Sequence, residues 1–458
     1  MSRLFRVLLL VLPLSSWAGC ASTPNTTSST ARGKETDLMR VERLIRDKQL
    51  VEAMGAARQL LAREPDSSDA MRLFVEAAFR GGQIIPALDE LSAKIAVEPG
   101  RANLHYGKGI GLYAQSAAQE TSALEHLNQA AQLSPYVAEY FFRIGLIHLD
   151  AERFEEAMTA LARARDLDRD QSRHHISLAQ AQARTGDRQG ALDSLRAVLD
   201  LSPRGTDLEV AQQVISKLNM PFREIPKIVA EEFERGLNYM QHDAPQQAMV
   251  TFQEILQKFP DLAAVHAALG LCFQRIDDAS RAMEEFRYAI ELSPKDPLNH
   301  LYLANLYFSK ERYDRATASY RTVIEQDPLN VHAYERLGQM AVQVSDFATA
   351  AMWLKRLITL RPKDLMARLS YGAVLGNQEK FAEAEAVFQK LLDEDGKNVE
   401  VLMRLGLLYW ERRKREEFNP ENARRLAEKA AGYFEKVLDL QPQNVMAARM
   451  LQDLSKQR

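Results

Sequence analysis

Residues 263–296 read AAVHAALGLCFQRIDDASRAMEEFRYAIELSPKD, and the proline near the end of this stretch returns at a fixed interval. Neighbouring prolines lie 34 residues apart in two runs: Pro65 and Pro99, then Pro260, Pro294, Pro328 and Pro362. A period of this length is typical of a chain built by copying one small structural unit. The sequence therefore predicts a repeat array.

Placing the proline at position 32 of each unit aligns the other residues in columns. Position 20 is alanine in all eleven units: Ala53, Ala87, Ala123, Ala157, Ala191, Ala248, Ala282, Ala316, Ala350, Ala384 and Ala430. Position 8 is small in most units, and position 24 is usually Leu, Phe or Tyr. Small residues at 8 and 20 facing a large one at 24 predict two closely packed antiparallel helices, and the proline ends the second helix.

These columns resemble the tetratricopeptide repeat family. Residues 263–296 match its pattern at Leu269, Gly270, Phe273, Ala282, Phe286, Ala289 and Pro294. The resemblance implies an all-α superhelix, or solenoid, of about eleven helix-turn-helix repeats. Five repeats would occupy residues 34–205 and six would occupy residues 229–444, the last with a 12-residue insertion.

The rest of the chain is too short to hold another domain. Residues 206–228 predict a capping helix and a hinge, and residues 445–458 predict a C-terminal cap. Segments of this size cannot bury a core of their own, so no separate catalytic domain is expected. With 59 basic and 62 acidic residues the net charge is −3, which gives no general attraction for nucleic acid.

Residues 1–19 have the layout of a secretory signal peptide. Two arginines precede an apolar run from Val7 to Leu14, and that run is too short to span a membrane. The following Ala18-Gly19-Cys20 resembles a bacterial lipobox, which implies a lipid on Cys20 and a membrane anchor. Trp17 departs from the lipobox pattern, so cleavage without lipidation is the alternative.

Residues 20–33 comprise Cys20 and a small polar segment, 21–33, that predicts a flexible tether between the lipid and the repeats. Such lipoproteins stay in the inner membrane when Asp follows the cysteine, and here Ala21 follows it. In a two-membrane envelope the resemblance thus implies a lipid-anchored protein of the outer membrane that faces the periplasm; in a host with one membrane the protein would face outward.

No catalytic or metal-binding pattern stands out. The run Gly107-Lys108-Gly109-Ile110-Gly111 suggests a phosphate loop, but Gly109 occupies position 8, which favours tight helix packing. Four histidines share position 4, where stacked copies lie too far apart to hold one ion: His105, His175, His266 and His300. Cys272 is expected to be a small buried thiol. We expect no enzyme activity, no cofactor and no metal.

Positions 2, 5, 9 and 12 of the first helix line the concave side of the superhelix in this family, so the resemblance implies a groove there. In the second array these columns hold Phe233, Leu237, Met240, Leu271, Leu298, Leu301, Asn305, Phe308, Val342, Met366, Leu369, Met403, Leu407 and Trp410. In the first array the candidates include Tyr106, Tyr113 and Phe142. Apolar anchors with Asn305 as a backbone partner would suit an amphipathic helix or an extended segment. The alternative is packing against neighbouring repeats.

The function expected from these features is a membrane-anchored scaffold or adaptor that binds other proteins. It would serve assembly of a cell-envelope complex, such as a pilus, a secretion system, an exopolysaccharide exporter or the outer-membrane assembly machinery. Two alternatives stay open: a non-catalytic accessory subunit of a cell-wall enzyme, and a secreted adaptor without a lipid. The carboxylate clamp that binds chaperone C-termini is not expected, because no unit has Lys at position 5.

Overall fold

The structure is a computed structural model that describes residues 36–201, 203, 205–220, 224–416 and 419–456. Every regular element in these residues is helical, which confirms the expected all-α class. The chain divides into two compact units between Leu218 and Asn219, inside the segment expected to link the arrays. No helix in the described part of the chain is long and apolar enough to cross a membrane.

Unit 1 holds five helix pairs and one further helix. The pairs are α1 (Asp37–Arg46) with α2 (Leu50–Arg63), α3 (Ser68–Arg80) with α4 (Ile84–Val97), α5 (Ala102–Gln115) with α6 (Glu120–Leu133), α7 (Ala138–Asp150) with α8 (Phe154–Leu167), and α9 (Ser172–Thr185) with α10 (Arg188–Val198). The further helix is α11 (Gly205–Asn219), and a short 3-10 turn at Ala117–Gln119 precedes α6.

Unit 2 holds six pairs and a final single helix. The pairs are α12 (Ala230–Gln241) with α13 (Pro245–Lys258), α14 (Ala263–Arg275) with α15 (Ala279–Leu292), α16 (Pro297–Ser309) with α17 (Tyr313–Gln326), α18 (Val331–Gln343) with α19 (Phe347–Leu360), α20 (Leu365–Asn377) with α21 (Phe381–Glu394), and α22 (Val399–Lys414) with α23 (Pro420–Leu440). A 3-10 turn at Lys227–Val229 leads into α12, and α24 (Val445–Lys456) follows the last pair. In each unit successive pairs stack, so the expected solenoid of about eleven repeats is confirmed.

The columns at positions 8 and 24 interlock as predicted. At Gly270 an added Cβ would lie 2.6 Å from a ring carbon of Phe286. At Gly145 it would lie 2.5 Å from Leu161. Both distances are well below van der Waals contact, so the two helices of a pair approach to a separation that only glycine permits. The gap is wider at Gly338, where the nearest atom of Leu354 would be 3.3 Å away.

The turn between the two helices of a pair follows one backbone design. In nine pairs the residue at position 15 has a positive φ: Lys48, Gly82, Glu152, Gly186, Asp243, Asp277, Glu311, Ser345 and Glu379. In residues 263–296 the N–H of Asp277 donates to the carbonyl of Gln274, at 3.1 Å. The next N–H, on Asp278, donates to Phe273, at 2.9 Å. This is a left-handed helix terminus that satisfies the last carbonyls of the first helix.

In five repeats the side chain at position 4 bonds to the loop before the repeat. His266 Nε2 lies 2.7 Å from the carbonyl oxygen of Pro260, and because a carbonyl only accepts, this nitrogen carries the hydrogen. The equivalent contacts are His105 with Pro99, His175 with Arg169, His300 with Pro294, and the Tyr334 hydroxyl with Pro328. The four position-4 histidines therefore bond the carbonyl at position 32 of the preceding repeat.

Helix α5 contains the glycine run that resembled a phosphate loop. Its three glycines face three different neighbours: an added Cβ would lie 2.4 Å from Met71 at Gly107, 2.7 Å from Leu127 at Gly109 and 2.8 Å from Leu88 at Gly111. The run is helical throughout, which confirms the packing interpretation. Helix α5 is thus enclosed by α3, α4 and α6.

Candidate functional site

Eight of the predicted groove residues of unit 2 lie on the first helices of its pairs with part of their surface exposed, and we call this set of eight the inner surface. All are half-buried: Phe233, Leu237, Met240, Leu271, Leu301, Asn305, Phe308 and Trp410. Six of the apolar members, all except Trp410, rest on one continuous core of buried residues that runs from Val229 to Met340. Each side chain is therefore supported from beneath and keeps part of its surface outward.

Aromatic contacts fix two of these side chains. The rings of Phe233 and Phe252 have centroids 5.6 Å apart. Phe308 meets Tyr313 edge-on at 5.8 Å, and the guanidinium carbon of Arg336 lies 4.6 Å from the centre of the Phe308 ring. Contacts of this kind hold a ring in place without hiding all of it.

Asn305 forms the polar centre of the inner surface. Its Oδ1 accepts from the Tyr320 hydroxyl at 2.6 Å and lies 3.0 Å from His332 Nε2. Its amide nitrogen makes no hydrogen bond with any residue that the structure describes, so it remains a donor for a bound peptide carbonyl or carboxylate. Hydrogen bonding of Asn305 to the backbone of a bound segment therefore stays a prediction. Its amide nitrogen is the atom that could form that bond.

The last repeat presents a different surface. The Lys414 ammonium lies 3.2 Å from the centre of the Trp410 ring, so this cation covers part of the indole. Between Phe308 and Trp410, the groove columns include the exposed Val342 and Met366, which are 39% and 64% exposed. The sequence also assigned Leu369 and Met403 to the lining, but both are buried in the core of the last repeats.

The aromatic candidates of unit 1 are not on the surface. Tyr106, Tyr113 and Phe142 are 0%, 5% and 2% exposed, so they pack inside the unit and offer no area to a partner. The Tyr106 hydroxyl donates to Glu139 at 3.0 Å, and the Tyr113 hydroxyl donates to Asp150. Polar residues of the following repeat cover these tyrosines, and that is why the column rule fails here.

An ion network takes their place in unit 1. Glu139 accepts from Arg143 at 2.8 Å, from Arg173 at 2.9 Å and from the Tyr106 hydroxyl. Burial alone would raise the pKa of Glu139, but Arg173, Arg143 and Arg72 outweigh it and hold that pKa at about 2. The carboxylate is therefore charged, and it joins helices α5, α7 and α9.

A second buried carboxylate lies on α3. Glu76 is 2% exposed, with Arg80 at 2.9 Å and Arg72 at 3.4 Å. Burial raises the pKa of Glu76, and these two arginines only partly counter it. The carboxylates and arginines of this network pair with one another across neighbouring helices, so the network joins those helices.

The histidines differ in the direction in which their surroundings shift the pKa. Burial, Lys108 and His105 lower the pKa of His126 to about 4, and burial with Arg173 lowers the pKa of His174 to about 4. Burial would also lower the pKa of His266, but hydrogen bonds to Glu285 and the Pro260 carbonyl raise it. No group of three or more His, Cys, Asp or Glu residues in the described part of the chain is arranged to hold a metal ion.

The two cysteines differ. Cys20, the predicted lipidation site, lies outside the described residues together with the leader and the tether. Cys272 is fully buried, with its sulfur 3.2 Å from that of Met240. Burial raises the pKa of Cys272 to about 12, so its thiol stays protonated and unreactive at neutral pH.

Sequence reasoning missed two features of the site. Arg336 stands at position 6, which is not one of the groove columns, yet it lies against Phe308. Glu139 and Arg173 stand at position 2 of their repeats, which is a groove column, but they were not among the candidates. The sequence does contain a signal for this network. Arg72 and Glu76 on one first helix, and Glu139 and Arg173 on two later ones, are opposite charges at groove positions.

Comparison with protein-family models gives a match to the tetratricopeptide repeat at residues 142–206, 301–364 and 372–445. A search of curated proteins finds no match. Among solved structures, YrrB, described as a TPR protein with an unusual peptide-binding site, is 21% identical; the alignment covers 43% of this chain and 96% of that chain with a TM-score of 0.36.

Two further solved structures are similar. PilF of Pseudomonas aeruginosa is 20% identical, with 54% of this chain and 97% of that chain covered and a TM-score of 0.27. Yeast Tom70 is 14% identical, with 92% of this chain and 95% of that chain covered and a TM-score of 0.30.

Proposed function

This chain belongs to the tetratricopeptide repeat family, and we propose that it is a scaffold that docks a segment of another protein on the inner surface of unit 2. The observation that carries the proposal is the row of half-buried apolar side chains on that surface. A supported apolar strip that keeps part of its area outward is the usual anchor for an amphipathic helix or an extended segment.

The contrast with unit 1 favours docking over internal packing for these residues. The equivalent columns of unit 1 hold Tyr106 and Phe142, which are 0% and 2% exposed. A side chain whose only role is to pack against neighbouring repeats reaches this degree of burial. Phe233, Leu301 and Phe308 do not reach it, although they rest on a core of their own. This supports a partner for unit 2.

The finer proposal concerns location. We propose that Cys20 carries a lipid and holds the repeats at the outer membrane on its periplasmic side, as part of a cell-envelope assembly. The support is the sequence: the basic and apolar leader, Ala18-Gly19-Cys20, and the small polar segment that follows. Thirteen tether residues would reach about 20 Å on average, which leaves the repeats free to meet a membrane complex.

Crosslinking in the native cells tests docking. The wild type is compared with a triple variant, Phe233→Glu, Leu301→Glu and Phe308→Glu, that has been checked for unchanged helicity. We expect a specific envelope protein to be captured by the wild type and lost in this variant, because three carboxylates cannot be desolvated against an apolar segment. The matched control places the same charges on exposed residues of second helices: Val250→Glu, Met352→Glu and Leu440→Glu. Equal capture by all three proteins would remove the inner surface from the hypothesis.

Labelling with radioactive palmitate tests the anchor. Wild type should incorporate label and pellet with the outer membrane, whereas Cys20→Ser should remain unlabelled and leave the membrane fraction. Cys272→Ser is the control, because Cys272 is buried and should not affect labelling. An unlabelled wild type recovered outside the membrane fraction would instead identify a secreted adaptor.

A further inference from the structure

Arg336 differs from the other cations near the inner surface. Its guanidinium donates to Gln339 Oε1 at 3.1 Å and lies against Phe308. Its Nε is buried without an acceptor, and no carboxylate of a described residue pairs with it. At the same repeat position in the last pair, Arg404 has Glu400 at 2.8 Å. The residue that corresponds to Glu400 is His332, so Arg336 lacks this counterion; the exposed Glu335 of the same repeat lies 4.0 Å from His332 Nδ1 instead.

A half-buried cation without a counterion is costly, because part of its hydration is lost and nothing replaces it. Arg336 also acts on its neighbour: burial and the Arg336 charge lower the pKa of His332. Both effects favour the binding of a negative charge at this point. A carboxylate supplied by a ligand would give Arg336 a counterion and would raise the pKa of His332.

The surroundings add a second donor. Asn305 is bonded through its oxygen to Tyr320 and His332, which turns its amide nitrogen outward as a donor. Asn305 and Phe308 are one turn apart on α16, and His332 and Arg336 are one turn apart on α18. The contacts Asn305–His332 and Phe308–Arg336 therefore bring both donors to the same side of two adjacent helices.

Apolar surface flanks these donors in both directions along the repeats. Leu301 and Phe308 lie on the same first helix as Asn305, the exposed Val342 lies on the helix of Arg336, and the exposed Met366 lies on the next first helix, α20. An acidic side chain in the middle of an apolar segment fits this order, because its neighbours cover both flanks. A chain terminus would leave one flank uncovered.

We propose that the surface around Arg336 binds the carboxylate of an aspartate or glutamate lying within an apolar segment of the docked protein. Arg336 offers a fork that matches a carboxylate, and Asn305 adds one further hydrogen bond. This inference rests on the proposed function and specifies which segments the inner surface accepts.

Peptide display on the full chain tests it. A library of random 12-residue peptides, capped at both ends, is selected on wild type, on Arg336→Gln and on the control Arg321→Gln, which removes an exposed arginine from α17. Wild type and R321Q should enrich peptides with one acidic residue between apolar residues. R336Q should retain the apolar preference and lose the acidic one.

The outcomes separate the two proposals. If wild type enriches no peptide that the Phe233, Leu301 and Phe308 triple variant fails to enrich, docking itself fails. If wild type enriches apolar peptides without an acidic residue, or R336Q retains the acidic preference, docking stands and the Arg336 inference is wrong.

Binding of the enriched peptide gives the magnitude. Replacing its Glu by Gln should weaken binding to wild type by about tenfold, the usual value of one charge-assisted contact. The same replacement should change binding to R336Q by less than about twofold. The peptide with Glu should also raise the pKa of His332 in an NMR titration. Equal weakening with both proteins would place the carboxylate elsewhere.

Discussion

At the scale of single residues, close approach depends on the distance between positions 8 and 24. An added Cβ would lie 2.6 Å from Phe286 at Gly270, but 3.3 Å from Leu354 at Gly338. The first distance requires a ring or a helix to move, and the second requires a shift of a few tenths of an ångström. Glycines in one column therefore differ in how strictly they are needed.

The substitution Gly270→Ala should lower the free energy of unfolding by about 1–3 kcal/mol, because overpacking outweighs the better helix propensity of alanine. Gly338→Ala serves as the matched control and should change that free energy by about 0.5 kcal/mol or less, or raise it slightly. Urea unfolding followed by circular dichroism measures both. Equal losses would contradict the distance argument.

The turn residue at position 15 gives a prediction of the opposite sign. Ser345 has φ 59°, a conformation that costs a non-glycine residue about 1 kcal/mol or more. Ser345→Gly should therefore raise the free energy of unfolding by about 0.5–1 kcal/mol after the entropy of glycine in the unfolded chain is included. Ser345→Ala should not stabilise. Tryptophan fluorescence is a suitable probe, because Trp353 lies on the next helix.

At the scale of helices, unit 1 has a buried ion network in addition to its apolar core. Glu139 on α7 receives hydrogen bonds from α5, α7 and α9. Three donors around one buried carboxylate fix the relative rotation of three first helices, since each bond has a preferred direction. The inner side of unit 1 is therefore a structural element.

Glu139→Gln should destabilise unit 1 by about 3 kcal/mol, because it leaves Arg143 and Arg173 without their shared carboxylate. Glu155→Gln, an exposed carboxylate on α8, should change stability by about 0.5 kcal/mol or less. Thermal unfolding followed by circular dichroism compares the two. A loss below about 1 kcal/mol for Glu139→Gln would show that the arginines find other partners.

The sequence predicted the helix pairs well, because the residues that define a pair lie close together in the chain. Gly270, Ala282 and Phe286 stand within one repeat, and their spacing determines which faces meet. The left-handed turn could not be predicted, since position 15 accepts Lys48 and Glu311 as readily as Gly82. The burial of Tyr106 depends on Glu139 in the next repeat, and a column rule within one repeat does not include that contact.

At the scale of the whole molecule, the two units differ in their response to acid. In unit 1 the pKa values of His126, His148, His174 and His175 are all lowered, with burial as the main cause. A histidine whose folded pKa lies below the unfolded value of about 6.5 stabilises the fold above that pH and loses this contribution as the pH falls. In unit 2, the lowered pKa of His332 likewise stabilises the fold at high pH. The raised pKa of His266 stabilises the fold at low pH instead.

Lowering the pH from 7.5 to 5 should therefore weaken unit 1 more than unit 2. His174 alone should cost about 2 kcal/mol, because its folded pKa is about 4. Protonation of Glu76 acts in the opposite direction and reduces the loss. Trp353 and Trp410 lie in unit 2, so their fluorescence should keep its urea midpoint while the circular dichroism signal begins to fall at lower urea.

A variant separates the histidine effect from general acid instability. His174→Phe removes the titrating ring, so the difference between its urea midpoints at pH 7.5 and pH 5 should be smaller than in wild type. An unchanged difference would assign the acid response to other groups.

The glycines of α5 have a consequence for the order of folding. Gly107, Gly109 and Gly111 together weaken the intrinsic helicity of this segment by about 3 kcal/mol relative to alanine, so it cannot be an early nucleus. We expect it to become helical only when α3, α4 and α6 enclose it, so that its contacts form after the rate-limiting barrier. Trimming Leu127 at the Gly109 contact should therefore accelerate unfolding and leave the refolding rate nearly unchanged, the kinetic signature of a segment that is completed last.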